Sequence, residues 1–414
     1  MGDESGCLVN IPEELVSEIL CYLPVKLLIR FTIVCKSWLC LIRNNHCFAM
    51  KNYLIRCTSS SKVLDNADYM FDNLVKSDNP CLYSFTQAKS FRFLKKFECV
   101  PNEKIGVSNS CHGIICIHLF RKSEIFLYNP SIQEVVLLPP CPNNGKKALG
   151  FDPIQNDYKV VAIDFPNTDN YLCRVNLYSL RHGHWRKLYT SISLRCTHGI
   201  EGDGASNANG RIYNWLFNKQ HGMEKKKLGL LSFDMTEEVL KEFPMPKCED
   251  PHLHDHELLS STRWQACLIC LPKSYYFTHG FIDVWVLKDW IWSKAIVIKF
   301  PDRELMQPSK FWINDNELFV NVEKGNTIEV FHYNLATKKL KFTGRKGSLW
   351  CSRGYVESLV SLKRLMSLHH ESKHGEDGKQ INDQVEVASK QEDTSRYVLR
   401  EVSRKGVRWS QTST

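Results

Sequence analysis

The sequence predicts an α+β multidomain chain, with a small all-α module at the N-terminus followed by a large all-β domain built from repeats. Three observations carry that prediction. Apolar residues recur at helical spacing between residues 10 and 50. Across residues 106–366, short apolar runs alternate with polar turns, and the pattern returns with a period near 50. Over residues 367–414 the chain is charged and poor in apolar side chains, which reads as a disordered tail.

Composition narrows the classes of function. The chain has 414 residues, 43% hydrophobic and 24% charged, which excludes a collagenous or wholly disordered protein. A domain of roughly 300 residues buries about 75% of its unfolded surface, so a core needs neither disulfides nor metal. Lys and Arg number 54 against 45 Asp and Glu, and a net +9 is mild for this size, well short of a nucleic-acid binder with one basic face. There is no run of about 18 apolar residues to span a bilayer. The opening MGDESGCLVN is acidic and lacks the apolar stretch of a secretory signal, and Gly6 stands where a myristoylation signal prefers Ser or Thr. A cytoplasmic or nuclear protein with no membrane or nucleic-acid partner is therefore expected. The 17 cysteines read as reduced thiols packed as small hydrophobes.

The helical module opens with Asn10 as an expected cap and Pro12, Glu13 and Glu14 in the first turn, where proline loses no bond and carboxylates favour the positive end of the dipole. Leu15, Val16, Ile19, Leu20 and Leu23 recur at helical spacing until Pro24. A second helix is expected to carry Leu27, Leu28, Phe31, Val34 and Cys35, and Ser37 to cap a third holding Trp38, Leu41 and Ile42. About 40 residues cannot bury so much apolar surface alone, so the module docks on the rest of the chain or on a partner. The run IPEELVSEILCYLPVKLLIRFTIVCKSWLCLI resembles the F-box, the helical module that binds the Skp-type linker of cullin-based ubiquitin ligases. Ile11 stands where the family usually has Leu, a volume-conserving change. The resemblance implies a linker-binding set of Ile11, Pro12, Leu15, Ile19, Leu20, Leu23, Pro24, Leu28, Val34, Cys35 and Trp38.

The β region repeats a leading strand, a second strand ending in a polar turn, and a third strand. Leading strands are GIICIHL, YKVVAI, RIYNWL, CLICLP and ELFVNV; second strands reach their turns at Tyr128, Tyr178, Phe233, Val286 and Tyr333, spaced by 50, 55, 53 and 47. Third strands begin EVVLLPP, HWRKLY, VLKEFPMP, SKAIVIKFP and KLKFTG. Such a period with three to four antiparallel strands per unit predicts a kelch-like β-propeller, in which stacking buries the face each blade cannot bury alone. Asn129, Ser179, Asp234 and Asn334 suit the turns, because their short polar side chains bond the local backbone. A β-sandwich with accidental periodicity is the alternative architecture. Kelch blades usually carry a Gly-Gly doublet, and this chain has none.

The blocks LYNPSIQEVVLLPP, LGFDPIQNDYKVVAI, VNLYSLRHGHWRKL and LLSFDMTEEVLKEFPMP resemble the F-box-associated domain of a large plant family. Members encoded at self-incompatibility loci, whose targets are pistil ribonucleases, share these blocks with relatives that have other targets. Six blades are expected, the sixth assembled from residues 51–105, otherwise a linker, and from the stretch around Tyr355 to Leu362. The tail has no analogue in the resemblance; its basic end RYVLREVSRKGVRWSQ reads as a solvated segment.

Signs of catalysis are weak. Cys248, His252, His254 and His256 invite a metal, but Pro251 and acidic neighbours read as an inter-blade loop. Cys267 and Cys270 sit in a continuous apolar strand, pointing to opposite faces, with no second pair to complete a zinc site. GDGASNANG has Asn207 where a phosphate-cradling fingerprint needs glycine, and reads as a turn. No cofactor, metal set or catalytic residue is expected. The resemblance implies a non-enzymatic substrate-recognition subunit of an Skp–cullin–F-box ligase, whose partners are the Skp-type linker, through it the cullin, and an unidentified protein target. A ligase-independent interaction or ligand-sensing propeller is the alternative.

Overall fold

The computed structural model describes residues 11–58, 68–72, 81–85, 91–96, 105–108, 110–165, 173–190, 200–207, 210–219, 227–246, 254–259, 266–272, 281–299, 311–313, 317–324, 327–334, 336–346, 352–353 and 356–367. Asn10, Cys248, His252, Tyr355 and the tail from position 368 onward lie outside the described residues. The helices and strands described below fall within one compact unit, Met1–Leu365.

Residues 11–58 form α1 (Glu13–Leu20), α2 (Val25–Phe31), α3 (Lys36–Asn44) and α4 (His46–Thr58). Pro12 and Pro24 immediately precede α1 and α2 at φ −53° and −56°, where a missing N–H breaks no helical bond. The expected cap at Ser37 is displaced, because α3 starts earlier. Cys35 takes the capping position with extended backbone, its Sγ accepting from the Trp38 N–H at 3.4 Å. Ser37 instead donates to Glu13 Oε1 at 2.9 Å, joining α3 to α1. Val34 and Cys35 lie beyond the end of α2 rather than on it. Leu20, Val25, Leu28, Ile42 and Phe48 are buried. α4 extends the helical region beyond position 50, and its residues carry no single apolar stripe to announce it.

The β domain contains, among the described residues, six four-stranded antiparallel sheets. The first holds β1 (Asp68–Asp72), β2 (Cys81–Phe85) and β3 (Phe91–Lys96); the second β4 (Ile105–Val107), β5 (Ile115–Leu119), β6 (Glu124–Asn129) and β7 (Glu134–Leu137). The third holds β8 (Lys146–Asp152), β9 (Asp157–Asp164), β10 (Arg174–Ser179) and β11 (His184–Leu188); the fourth β12 (Ile200–Ser206), β13 (Ile212–Lys219), β14 (Lys227–Asp234) and β15 (Val239–Pro244). The fifth holds β16 (His254–Leu259), β17 (Ala266–Pro272), β18 (Phe281–Lys288) and β19 (Ile291–Lys299); the sixth β20 (Phe311–Ile313), β21 (Glu317–Lys324), β22 (Thr327–Asn334) and β23 (Lys339–Lys346). Last comes β24 (Ser352–Arg353), which returns to pair with β1 and gives the first sheet its fourth strand. Innermost strands of successive sheets touch, β8 with β12, β12 with β16, β16 with β20 and β20 with β24, the radial arrangement of a propeller.

The leading strands of the sequence pattern are the second strands of their blades, and the innermost strands are additions to it. Two expectations are corrected by this. The histidine-rich segment is not a loop, because His254 and His256 lie on β16, paired along β17. Residues 202–206 are not a turn, because they lie on β12, where a register shift between Glu201 and Ala205 is absorbed at Gly204 (φ +55°). The closing strand also falls at 352–353, before the stretch expected to supply it.

One turn recurs on the tips between third and fourth strands and on the first hairpin of the third blade. Asn129 Oδ1 accepts from the Ser131 N–H, Asp234 Oδ1 from Thr236 and Glu237, and Asn334 Oδ1 from Ala336 and Thr337, all between 2.8 and 3.2 Å. Asp152 does the same for Ile154 and Gln155, and the Ser179 hydroxyl accepts from His182. Four residues on, each turn closes in the left-handed region, at Gln133, Asn156, Gly183, Glu238 and Lys338. The aligned residues Tyr128, Tyr178, Phe233, Val286 and Tyr333 are all buried.

Blades are joined by more than apolar packing. Trp185 on β11 donates its ring N–H to Pro139 O of the preceding blade at 2.9 Å, and Trp292 on β19 repeats the bond to Pro244 O at 2.9 Å. Between the third and fourth blades, Lys159 is 1% exposed, and its ammonium donates to Asp152 Oδ2 (2.7 Å), Met235 O (2.9 Å) and Glu238 Oε1 (2.8 Å). Val161 and Leu177 of the third blade and Tyr213, Trp215 and Phe233 of the fourth share one apolar cluster.

Candidate partner-binding site

α1 is apolar on two sides. Val16, Leu20 and Leu23 turn toward the interior, whereas Leu15, Ile19 and Tyr22, at i, i+4 and i+7, form a second stripe facing out. Ile19 is 60% exposed and Leu20 beside it 3%. Ile33, 89% exposed, and Val34 in the loop after α2, and Leu39 of α3, are exposed as well. Monomers tolerate scattered apolar side chains at the surface, and this small module carries several large ones.

Against the linker-binding residues named from the sequence, the placement divides. Ile11, Pro12, Leu15, Ile19, Val34 and Cys35 are exposed, and Leu23, Pro24 and Trp38 are half-buried, with the Trp38 ring tilted against Phe31 at 5.6 Å. Leu20 and Leu28 are interior in this chain, Leu28 at 0% exposure, where they pack within the helical module. Tyr22, Ile33 and Leu39, outside that set, are also exposed. For the stripe of α1 the sequence signal is its doubled i, i+4 spacing, since one helix cannot turn two stripes into one core.

A second constellation lies where α4 meets the propeller. Asn52 of α4 donates to Cys21 O (2.7 Å) and Leu23 O (3.0 Å), tying α4 to the end of α1. On its other side, Tyr53 meets the His112 ring edge-on at 5.3 Å, and His112 Nδ1 lies 3.0 Å from the Tyr158 hydroxyl. Burial, aided by His46, pushes the His112 imidazole down to about 3. Burial likewise lowers His46 to about 4, although Asn156 hydrogen-bonds its ring. Arg56 is 5% exposed and its guanidinium lies 3.8 Å from the Glu357 carboxylate.

Among the described residues, no group of three or more His, Cys, Asp or Glu side chains is placed to hold a metal ion. Cys267 and Cys270 are both buried on β17, and burial pushes the Cys267 thiol up to about 12. No described helix is long and apolar enough to cross a membrane.

Comparison with known proteins assigns both parts. Residues 8–49 match the family described as F-box domain, and residues 71–349 the F-box associated beta propeller domain. An F-box/kelch-repeat protein of Arabidopsis thaliana is 26% identical over 368 residues, covering 85% of this chain and 96% of the relative. An F-box protein of the same plant is 23% identical over 369 residues, covering 78% of this chain and 81% of the relative. Among solved structures, the chain is similar to TolB from Acinetobacter baumannii at a TM-score of 0.43 and 11% identity, over 69% of this chain and 64% of that one.

Proposed function

The chain belongs to the F-box proteins that carry an F-box associated beta propeller domain, and from that premise we propose that it is the substrate-recognition subunit of an Skp–cullin–F-box ubiquitin ligase. The F-box takes the Skp-type linker, the linker takes the cullin, and the propeller takes the target protein. The chain itself does no chemistry. Its contribution is proximity: a target lysine held beside a ubiquitin donor reacts as if in an intramolecular transfer.

The observation that carries this reading is the outward apolar stripe of Leu15, Ile19 and Tyr22, with Ile33 and Val34 exposed as well, on a module whose interior is filled by a separate set of side chains. Removing such a side chain from water on docking is worth about 1.5–3 kcal/mol. Leu15→Asp with Ile19→Asp is therefore expected to weaken linker binding at least ~100-fold, with an unchanged melting profile because both residues are solvent-exposed. The test is a pulldown of the tagged chain beside this variant, with binding to purified linker measured in parallel. Loss of linker and cullin together supports the adaptor. Wild-type binding by the variant overturns the docking face, and a wild-type chain that captures neither overturns the adaptor.

A further inference from the structure

Immediately after β24 closes the ring, residues 356–365 run along the blade formed by β4 to β7, and they are tied there at several points. Asn129 Nδ2 donates to Ser358 O (3.1 Å) and Val360 O (2.8 Å), and the Ser358 N–H donates to the Ser131 hydroxyl at 3.0 Å. Ser361 and the Lys363 N–H donate to the two carboxylate oxygens of Glu134 at 2.8 and 2.9 Å. Leu359, Val360 and Leu362 are buried. The fit leaves no slack at Gly113 (φ +74°), where a Cβ would sit 2.3 Å from Ser358 Cβ and 2.8 Å from Val356 O.

This same segment presents Glu357 to Arg56 of α4. Both side chains are largely withdrawn from water, and among the described residues the Arg56 Nε and Nη2 have no hydrogen-bond partner. At 3.8 Å the contact is electrostatic rather than a hydrogen bond. A buried guanidinium is costly unless an opposite charge lies close, so the position of α4 depends on Glu357 being in place. The other side of α4 is bonded to the end of α1 through Asn52. The chain thus connects ring closure, the segment that follows it, α4 and the helical module in one mechanical series.

We propose that residues 356–365 are a latch: once the last strand closes the propeller, they bring Glu357 against Arg56 and fix the F-box helices in one bearing on the blades. Arg56, Glu357 and Tyr53 are positioning residues. Under the adaptor reading, on which this functional consequence rests, they set where a bound target stands relative to the ubiquitin donor.

Amide hydrogen exchange on the full chain tests the latch. Arg56→Glu places two carboxylates together and is expected to speed exchange at least ~10-fold over residues 46–58 and 356–360 alike, with the strand Asp157–Asp164 still protected. Adding Glu357→Arg restores opposite charges and should return both segments toward wild type, a rescue that a merely structural residue would not show. Unchanged exchange in either segment, or a double variant as fast as the single, overturns the proposal. Should Arg56→Glu fail to fold, Glu357→Gln serves: faster exchange over 46–58, across the contact, supports the latch, and none overturns it. Binding of purified linker is measured on the same samples. A wild-type chain that ignores the linker would overturn the adaptor reading while leaving the exchange result to decide the latch.

Discussion

Lys159 shows how one residue can be held by two blades at once. Its charge is out of water, and three acceptors from both sides of a blade interface replace the lost hydration. Burial alone would push the Asp152 carboxyl up; the Lys159 bond and the Ile154 and Gln155 amides outweigh it and hold it below the usual range. Lys159→Met leaves the buried Asp152 carboxylate without its cation, while Glu238 keeps Arg186, and is expected to cost about 3–5 kcal/mol, read as a lower melting temperature. Adding Asp152→Asn should recover part of it. The same reasoning separates Leu20 from Leu15 in the helical module. Leu20→Asp buries a charge and should unfold the F-box, so lost binding by that variant would say nothing about docking, whereas Leu15→Asp isolates the surface. Here the sequence could be read only halfway. The F-box motif names which positions matter, but identity does not say which way a side chain turns. Only the placement of α3 and α4 against α1 decides that Leu20 is interior and Ile19 is not.

Elements were legible in proportion to their length and apolarity. The second, third and fourth strands of five blades could be read because they are long and their turns open on Asn, Asp or Ser. The innermost strands could not. β4 and β20 are three residues each, β16 reads HDHELL, and β12 carries two glycines, so neither alternation nor β-propensity marks them. α4 was hidden for the opposite reason, being buried on two sides by different domains. That double burial has a pH signature. His112 has a folded pKa of about 3 against 6.5 unfolded, so its contribution is complete above pH 6.5 and is lost progressively as pH falls toward 3. At pH 5 the loss is about 2 kcal/mol. His46, Tyr53 and Tyr158 face the same ring, and His46 adds its own loss down to about pH 4. His112→Asn, which tolerates the positive φ of 48° there, should reduce the fall in melting temperature between pH 6.5 and 5 by one histidine's share. An unchanged slope would mean that the ring is not excluded from water.

At the scale of the whole molecule, the two ends of the β domain meet in one sheet, β24 against β1. A chain ended after Cys351 lacks both the closing strand and the latch. It is expected to lose its sharp melting transition and to self-associate in size-exclusion chromatography, because the bare edge of β1 becomes a template for another chain. The period of about 50 made the propeller readable, yet its closure was placed too late, since a two-residue strand carries no pattern. That closure also sets a clock. About 280 residues separate β1 from β24, and at 5–20 residues per second a ribosome needs roughly 15–60 s to make them. Throughout that interval the nascent first blade waits with an unpaired edge while five others form behind it. Chaperone demand during synthesis is therefore built into the order of the strands, and stalled or truncated translation products are the form of this protein most prone to aggregate.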